Sequence, residues 1–339
     1  MVTRRTVLKA AAAFGATTLG FAGYAFGIEP ALRLRVQPYR IRPAGWPQTL
    51  RLRAAVIADL HAGEPHMSAT HIRRIVDRAN ALKPDVHLLL GDFAAGHRWV
   101  SRMMQPEEWA PELARLEAPL GVHAVLGNHD GWDDLDAQKR GYGPVVGRPA
   151  LEKHGIKVYE NDALRLTKNG QPFWLTGLGD QIALFEWRRS PTDVDAAVVA
   201  ASAGAAVSTP NSSRMGRGRA HMIGVDDLPG LLAKITDDAP VILMAHEPDI
   251  FPKVPDRVAV TISGHTHGGQ VRLFGYSPVV PSRYGNRYAY GHIVETRTGT
   301  IATEGPRHLV VSGGLGCSIF PVRFGIPPEI VLLDIGGPD

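Results

Sequence analysis

The chain has 339 residues, of which 44% are hydrophobic and 21% are charged, so a sizeable core can form and wholesale disorder or a fibrous architecture is excluded. The formal net charge of +4 is too close to balance to predict a polyanionic partner. Cys317 is the lone cysteine, which excludes an internal disulfide and any zinc site built on several thiolates, whereas 14 histidines offer imidazole ligands instead.

The first thirty residues differ from the rest of the chain. Residues 3–9 place paired arginines ahead of an Ala- and Gly-rich stretch, and no acidic residue occurs before Glu29. This segment resembles bacterial twin-arginine signals, with Val7 in place of the usual Phe. We therefore expect residues 1–30 to be a signal segment or a retained anchor, handled by the twin-arginine export machinery, and the protein to lie in the periplasm or on the outer face of the cytoplasmic membrane. The alternative is an amphipathic or buried first helix of the fold.

The next segment, residues 31–49, is rich in arginine and is predicted to connect the leader to the folded domain. Its basic side chains favour association with an anionic membrane surface. Composition after this segment shows no break strong enough to mark a second domain. We therefore predict one domain over residues 50–339.

Strands and helices alternate through the first part of this domain. An apolar run at residues 50–58 predicts a core strand, and residues 68–82 place apolar side chains at helical spacing behind a cap at Ser68 or Thr70. The alternation continues as strand, helix and strand at residues 86–90, 106–116 and 122–126.

Beyond residue 155 the pattern changes to short strand-like pieces, which predict a second sheet. A hairpin turn is expected at residues 168–171 and a helix at about residues 228–235. Residues 188–224 are rich in Ala, Ser, Gly and Arg and are predicted to be a flexible insertion with little to bury. The strands predicted in this half are residues 156–159, 163–167, 173–177, 241–244, 258–262, 309–311 and 330–333.

Polar clusters directly follow five of the predicted strands. They are Asp59 with His61, Asp92, Asn128 with His129, His246, and His265 with His267. Because strand ends in α/β sheets point toward one crevice, groups that are distant in sequence can converge there. Carboxylate, imidazole and amide oxygen are the ligands that remain for a divalent metal when several thiolates are not available.

In order and content, these clusters resemble the signature of the calcineurin-like metallophosphoesterase family. The family pattern D-x-H, G-D, G-N-H-D, a lone His and G-H-T-H is matched by Asp59-Leu60-His61, Gly91-Asp92, Gly127-Asn128-His129-Asp130, His246 and Gly264-His265-Thr266-His267. The resemblance covers about residues 50–335. Residues 268–270, 313–316 and 323–329 look like the small exported bacterial branch of the family.

The resemblance implies an α/β fold, a four-layer α-β-β-α sandwich with mixed sheets, and two divalent metal ions drawn from Mn, Zn, Fe or Co. The metal positions it implies are Asp59, His61 and His267 for one ion, Asn128, His246 and His265 for the other, and Asp92 as the bridge. A carboxylate can span metals roughly 3.5 to 4 Å apart, a separation that also accommodates a bridging hydroxide for in-line attack on a phosphoester.

His129 and Asp130 complete the implied site. By the resemblance, His129 protonates the leaving alkoxide or stabilises the phosphoryl oxygens, and Asp130 fixes its tautomer and raises its pKa. The alternative for Asp130 is a solvated turn carboxylate. The remaining nine histidines are expected to be structural and Cys317 to be a small buried apolar group. The candidate phosphate clamps are Arg98, Arg272 and Arg323.

The expected function is that of an exported phosphoesterase acting on phosphomono- or phosphodiesters, with cell-envelope or lipid-linked esters among its substrates. Two alternatives stay open: a non-catalytic interaction scaffold on the same fold, and a nuclease. No aromatic and basic stripe of the kind that tracks a nucleic acid strand accompanies the motifs, so nucleic acid is not favoured as a partner. The oligomeric state is left open.

Overall fold

A computed structural model of the chain describes residues 3–97, 99–141, 143–186, 221–296 and 305–336. Within these ranges the chain forms two six-stranded sheets, with helices on their outer faces. Most of the predicted insertion at residues 188–224 lies outside the described residues.

The first sheet has the strand order β1-β16-β2-β4-β6-β7. From β2 to β7 the neighbouring strands are parallel, whereas β16 runs antiparallel to β2, so the sheet is mixed. A separate short pair is formed by β3 (Gly63–Glu64) and β5 (Arg102–Met103). The strands of the sheet are β1 (Arg35–Ile41), β2 (Leu52–Ile57), β4 (Val86–Leu90), β6 (Val122–Val125), β7 (Lys157–Tyr159) and β16 (Glu329–Ile335).

The second sheet has the order β14-β15-β13-β12-β9-β8 and is also mixed, with four central parallel strands and an antiparallel strand at each edge. A two-stranded ribbon of β10 (Leu184–Glu186) and β11 (His221–Ile223) lies outside it. The strands of the sheet are β8 (Asp162–Lys168), β9 (Gln171–Gly177), β12 (Val241–Met244), β13 (Val258–Ser263), β14 (Gly291–Glu295) and β15 (Arg307–Val311).

Helices α3, α4 and α7 contribute to the core on the outer face of the first sheet, and α8 does so for the second. In chain order the helices of the described residues are α1 (Arg4–Gly23), α2 (Glu29–Leu32), α3 (Ala69–Asn80), α4 (Pro106–Leu113), α5 (Asn128–Trp132), α6 (Leu135–Arg140), α7 (Gly147–Lys153) and α8 (Leu228–Ala233). The predicted helix at residues 68–82 is confirmed as α3. Its cap is Ser68, whose side chain accepts the His71 N–H.

Successive side chains along the central strands point to opposite faces of the sheet, and this alternation separates the apolar layers of the sandwich. In β2, Ala54 and Val56 face the other sheet and pack with Ile242 and Val260, whereas Ala55 and Ile57 belong to the core shared with the helices. A third apolar cluster lies between the second sheet and α8. The result is the predicted α-β-β-α sandwich of mixed sheets.

The structure places two predicted segments differently. The strand predicted at residues 156–159 was assigned to the second sheet, which was wrong: β7 pairs with β6 at the edge of the first sheet. The sequence of a short strand does not indicate which other strand it will pair with, so the sheet of residues 156–159 could not be predicted from the sequence. The segment at residues 31–49 does more than connect, because it contains β1, which pairs along its whole length with β16.

A long helix precedes the sandwich. α1, a π-helical turn at Tyr24–Ile28 and α2 follow one another without a break over Arg4–Leu32. None of the residues of α1 is buried, which disfavours the alternative of a buried first helix. By length and composition this helix could cross a membrane, a property that signal sequences share. Its carboxyl end packs on the domain, where Phe21 and Tyr24 contact the ring of Phe324.

Candidate metal centre

The predicted polar clusters converge at one end of the sandwich. Asp59, Asp92 and Asn128 follow the parallel strands β2, β4 and β6 of the first sheet, and His246 and His265 follow β12 and β13 of the second. Since the carboxyl ends of these strands meet where the two sheets face each other, residues far apart in sequence become neighbours.

The backbone at these strand ends adopts a conformation that is rare for residues with side chains. Asp59, His61, Asp92, His265 and His267 all have φ between 50° and 67°. The left-handed region costs roughly 1 to 2 kcal/mol per non-glycine residue. Such residues concentrate at functional sites, where the surrounding structure holds them in place.

Two glycines allow β4 and β6 to end close together. A Cβ added to Gly91 would lie 2.3 Å from the backbone nitrogen of Gly127, and one added to Gly127 would lie 2.4 Å from Asp92 Oδ1. Neither position has room for a side chain. The close approach brings Asp92 and Asn128 to the same crevice.

The first metal position, as we call it, consists of Asp59, His61 and His267 around one oxygen of Asp92. The Nε2 atoms of His61 and His267 lie 3.0 Å apart, and His61 Nε2 lies 3.6 Å from Asp92 Oδ2. Asp59 Oδ1 lies 3.6 Å from His267 Nε2, while its Oδ2 is buried without a hydrogen-bond partner. A carboxylate oxygen with no partner beside two facing imidazole nitrogens fits a cation.

The second metal position consists of Asn128, His246 and His265, again with Asp92. Asn128 Oδ1 lies 3.2 Å from His246 Nε2 and 2.8 Å from His265 Nδ1, and His246 Nε2 lies 3.3 Å from Asp92 Oδ2. The other ring nitrogen of His246 lies 2.5 Å from the Leu90 carbonyl, which orients the imidazole. Ligand atoms of both positions therefore lie within 3.6 Å of Asp92 Oδ2.

The protonation of the cluster follows from burial and from Asp92. Burial lowers the pKa of His61 to about 3 and that of His267 well below its ordinary value, so both are neutral imidazoles, the form that binds metals. Burial raises the pKa of Asp59 to about 7. Burial acts on His246 and Asp92 as well, but their mutual attraction outweighs it, raising the pKa of His246 and lowering that of Asp92.

His129 lies beside this cluster with a carboxylate partner that the sequence reasoning missed. Its Nδ1 lies 3.4 Å from Asp133 Oδ2, four residues along the chain, and its Nε2 lies 3.4 Å from Ser318 Oγ. Burial works to lower its pKa, but Asp92 and Asp133 prevail and raise the pKa to about 9. The only available signal for Asp133 was its position four residues after His129, the spacing that brings side chains together if the segment is helical.

The role expected for Asp130 is wrong. Its carboxylate accepts backbone N–H groups from Asp92, Phe93, Ala94 and Gly127 and does not orient His129. It is also buried, which excludes a solvated turn carboxylate, and burial followed by the charge of Asp92 raises its pKa to about 6. Asp130 therefore fixes the loop that carries Asp92.

The candidate phosphate clamps differ from expectation as well. Arg323 is fully buried; it donates to the carbonyls of Gly316 and Ile326, and its Nη2 lies 3.3 Å from His267 Nδ1. It therefore supports the first metal position from behind, and the clamp assignment is wrong for it. Arg272 donates to Ser277 Oγ and lies over the ring of Tyr290. Residue 98 lies outside the described residues.

A buried carboxylate pair beside His246 was also missed. Asp180 and Glu247 are nearly inaccessible to solvent, and their oxygens lie close enough to His246 to form a group of potential metal ligands. Burial and then the charge of Glu247 raise the pKa of Asp180 well above its ordinary value. Asp180 follows β9, so the strand-end argument that located the other clusters applies to it too.

Three of the remaining histidines and Cys317 lie in surroundings of the structural kind expected of them. His123 contacts Tyr159 Oη, and His292 lies against His308. Cys317 is buried. No side-chain detail is described for residue 221.

Comparison with known proteins decides the family. Residues 52–269 match the family model described as calcineurin-like phosphoesterase. The chain belongs to the calcineurin-like phosphoesterase family. It is 26% identical to the uncharacterized metallophosphoesterase YkuE of Bacillus subtilis over 98% of both chains. It is 25% identical to the phosphodiesterase YaeI of Escherichia coli over 99% of this chain and all of that one, and 26% identical to the UDP-2,3-diacylglucosamine pyrophosphatase LpxG of Chlamydia trachomatis over 83% of each.

Family membership and the Asp and His cluster together make this protein a metal-dependent phosphoric ester hydrolase with a binuclear site for divalent ions. The expectations of family, fold and enzyme class are thereby confirmed. The assignment of each side chain to one ion, the proton donor and the place of action in the cell stay predictions.

Proposed function

We propose that the protein is an exported hydrolase of phosphomono- or phosphodiesters whose two ions are held by Asp59, His61, Asp92, Asn128, His246, His265 and His267. One observation carries the proposal: Asp92 Oδ2 lies 3.6 Å from His61 Nε2 and 3.3 Å from His246 Nε2, so a single carboxylate reaches both metal positions. A carboxylate shared in this way suits the separation of roughly 3.5 to 4 Å between the ions of two-metal hydrolases.

The ions, when bound, supply a water of lowered pKa and polarise the phosphoryl oxygens. The chain supports this chemistry in two ways. Asp92 Oδ1 accepts the His129 N–H at 2.8 Å, which fixes the carboxylate with its Oδ2 toward both positions. Asn128 contributes a neutral oxygen, so the loaded site keeps positive charge for an anionic phosphoester.

His129 is the proton donor in this proposal. Because the Asp133 carboxylate raises the pKa of His129, it favours the protonated imidazole, which can donate a proton to the departing alkoxide oxygen. Asp133 holds the ring through Nδ1, leaving Nε2 for the substrate beside Ser318.

The cellular setting is part of the proposal. Paired arginines at the start of α1 and the unburied apolar helix behind them support export by the twin-arginine route, with the leader either cleaved or kept as a membrane anchor. The names of two relatives, a phosphodiesterase and a pyrophosphatase of a diacylated sugar nucleotide, support cell-envelope or lipid-linked esters as substrates. Replacing both Arg4 and Arg5 by Lys should keep the protein in the cytoplasm; unchanged export in cell fractionation would contradict this route.

The activity test uses purified full-length protein, stripped of metal and reloaded with Mn, Zn, Fe or Co. We expect hydrolysis of p-nitrophenyl phosphate or bis-p-nitrophenyl phosphate with at least one metal, and the preferred ester identifies the monoester or diester class. Inactivity on both esters with all four metals would favour the non-catalytic scaffold. Activity on DNA or RNA that falls steeply with salt would favour a nuclease.

A further inference from the structure

Several large apolar side chains are exposed on the loops that surround the metal centre. We define the apolar rim as Trp99, Phe274, Tyr276, Ile319 and Phe320, each at least 49% exposed, with Phe274 fully so. Large exposed apolar groups gathered near one site are unusual on a soluble surface and mark binding to a protein, a ligand or a membrane.

One part of the rim lies beside His129 and is bonded to the loop that follows Asp92. Ile319 and Phe320 directly follow Ser318, whose hydroxyl lies 3.4 Å from His129 Nε2. The backbone of Ile319 donates to the Gly96 carbonyl, and the ring of Phe320 packs against Trp99 with centroids 6.1 Å apart. This part of the rim is therefore one or two residues from Ser318, the side chain that contacts the proposed proton donor His129.

The other part of the apolar rim is a tight turn that carries Phe274 at its tip. The backbones of Leu273 and Tyr276 exchange hydrogen bonds at 2.9 Å in both directions, and Phe274 has a positive φ of 51°. Gln270, at the base of this loop, exchanges hydrogen bonds with the backbone of Ser318. The turn thus projects an aromatic ring into solvent from a loop tied to the site.

The apolar leader helix ends on the same loops. The Arg323 N–H donates to the Ala25 carbonyl at 2.9 Å, and the Ile326 N–H donates to the buried carboxylate of Glu29 at 2.8 Å. Phe324, which packs against the helix, exchanges backbone hydrogen bonds with residues 270 and 272. A membrane that receives the helix would therefore lie beside the rim.

We propose that the apolar rim inserts into the surface of a lipid bilayer, so that the metal centre faces phosphoesters at the level of the lipid headgroups. A bilayer is favoured over another partner because the leader helix, when it is kept, is long and apolar enough for a membrane and is fixed to the loops of the rim. Trp and Tyr are the residues that favour the membrane interface. This inference rests on the proposed function and narrows its substrates to lipid-anchored esters.

The first experiment measures whether the rim enters a bilayer, and its result does not depend on catalysis. A polarity-sensitive fluorophore is attached to full-length Phe274→Cys, with Val294→Cys as the control, because Val294 is 51% exposed and pairs with His308 at the end of β15 remote from the site. Labelling is compared with the unsubstituted chain, whose Cys317 is buried. The probe is a vesicle of phosphatidylcholine and phosphatidylglycerol containing spin-labelled lipid.

We expect the label at position 274 to shift to the blue and to be quenched several-fold more than the label at position 294. Equal quenching at both positions, or none at 274, would overturn the proposal. A second arm measures the turnover of two substrates by Phe274→Asp and by the control Val294→Asp. The substrates are phosphatidic acid in vesicles and whichever of the two soluble p-nitrophenyl esters the unsubstituted chain hydrolyses faster. Phe274→Asp should lower turnover of the lipid roughly tenfold relative to the soluble ester, since a charge replaces an inserted ring.

The two arms separate this inference from the proposed function. Hydrolysis of the soluble ester without insertion at position 274 would reject the rim and keep the phosphoesterase. Insertion without hydrolysis of any ester would keep the rim and reject the phosphoesterase. An equal effect of both aspartate substitutions on the lipid would also reject the rim.

Discussion

The two metal positions differ in the charge that the protein gives to each. The first has the carboxylate of Asp59 beside two imidazoles that burial keeps neutral. The second has the neutral amide of Asn128 and depends for its negative charge on the shared Asp92. That carboxylate also raises the pKa of His246, despite burial, which favours the protonated imidazole when metal is absent.

This difference predicts unequal binding. An ion at the second position must displace the proton of His246, so affinity there falls as the pH is lowered. At the first position the imidazoles are already neutral, and the proton to be displaced belongs to Asp59, whose pKa burial raises to about 7. Once ionised, Asp59 adds a negative charge that the second position lacks. We therefore expect the second ion to bind more weakly and to be the first that a chelator removes.

The largest effect is expected for Asp92→Ala, which removes the group common to both positions. Both ions should be lost and activity should fall by roughly a thousandfold or more. Metal analysis alongside the rate checks this, with Asp136→Ala as a control because the Asp136 side chain is 78% exposed. Retention of two ions by Asp92→Ala would show that the bridge is assigned to the wrong residue.

His129→Ala tests a residue that lies beside both positions and belongs to neither. Both ions should remain, and kcat should fall by about 10² to 10⁴ because proton donation to the leaving group is lost. An ester whose leaving group needs no proton should lose less. Loss of the ions from this variant would contradict the proton-donor role.

Asn128→Asp should make the two positions more alike. A carboxylate at the second position adds the negative charge that it lacks, so the second ion should resist chelation roughly tenfold better, while turnover falls because the phosphoester is attracted less strongly. The time course of metal release to a chelator measures both positions. If the second ion leaves the variant as fast as it leaves the unsubstituted chain, the difference in charge is not the cause of its weaker binding.

The smallest effect is expected for Asp133→Asn, which leaves both positions intact. Because Asp133 raises the pKa of His129, its neutralisation should lower that pKa. His129 then deprotonates at lower pH, and the alkaline decline of kcat should move toward neutrality. The measurement is the pH profile of kcat at saturating metal. An unchanged profile would show that Asp133 does not set the pKa of His129.

Local sequence signals were sufficient for helices α3, α4 and α8 and for the strands that end at the site. The spacing of Ile72, Ile75 and Val76 predicts α3, and all three are buried. The apolar runs that precede Asp59 and Asp92 predict β2 and β4. These features succeed because each depends on residues close together in the chain.

Features that depend on distant contacts could not be derived in the same way. The buried position of Arg323 behind His267 results from packing across 56 residues of chain. Asp130 resembles a turn residue in sequence, yet it becomes the acceptor for a loop 36 to 38 residues earlier. β7 joins the first sheet because β6 is its neighbour in space, which no short apolar run can specify.

The most direct test is the metal content of the full-length chain at saturation, measured by elemental analysis together with the protein concentration. The account predicts two ions per chain, with the weaker one lost first as the pH is lowered. A saturated chain that holds one ion, or none, would contradict it.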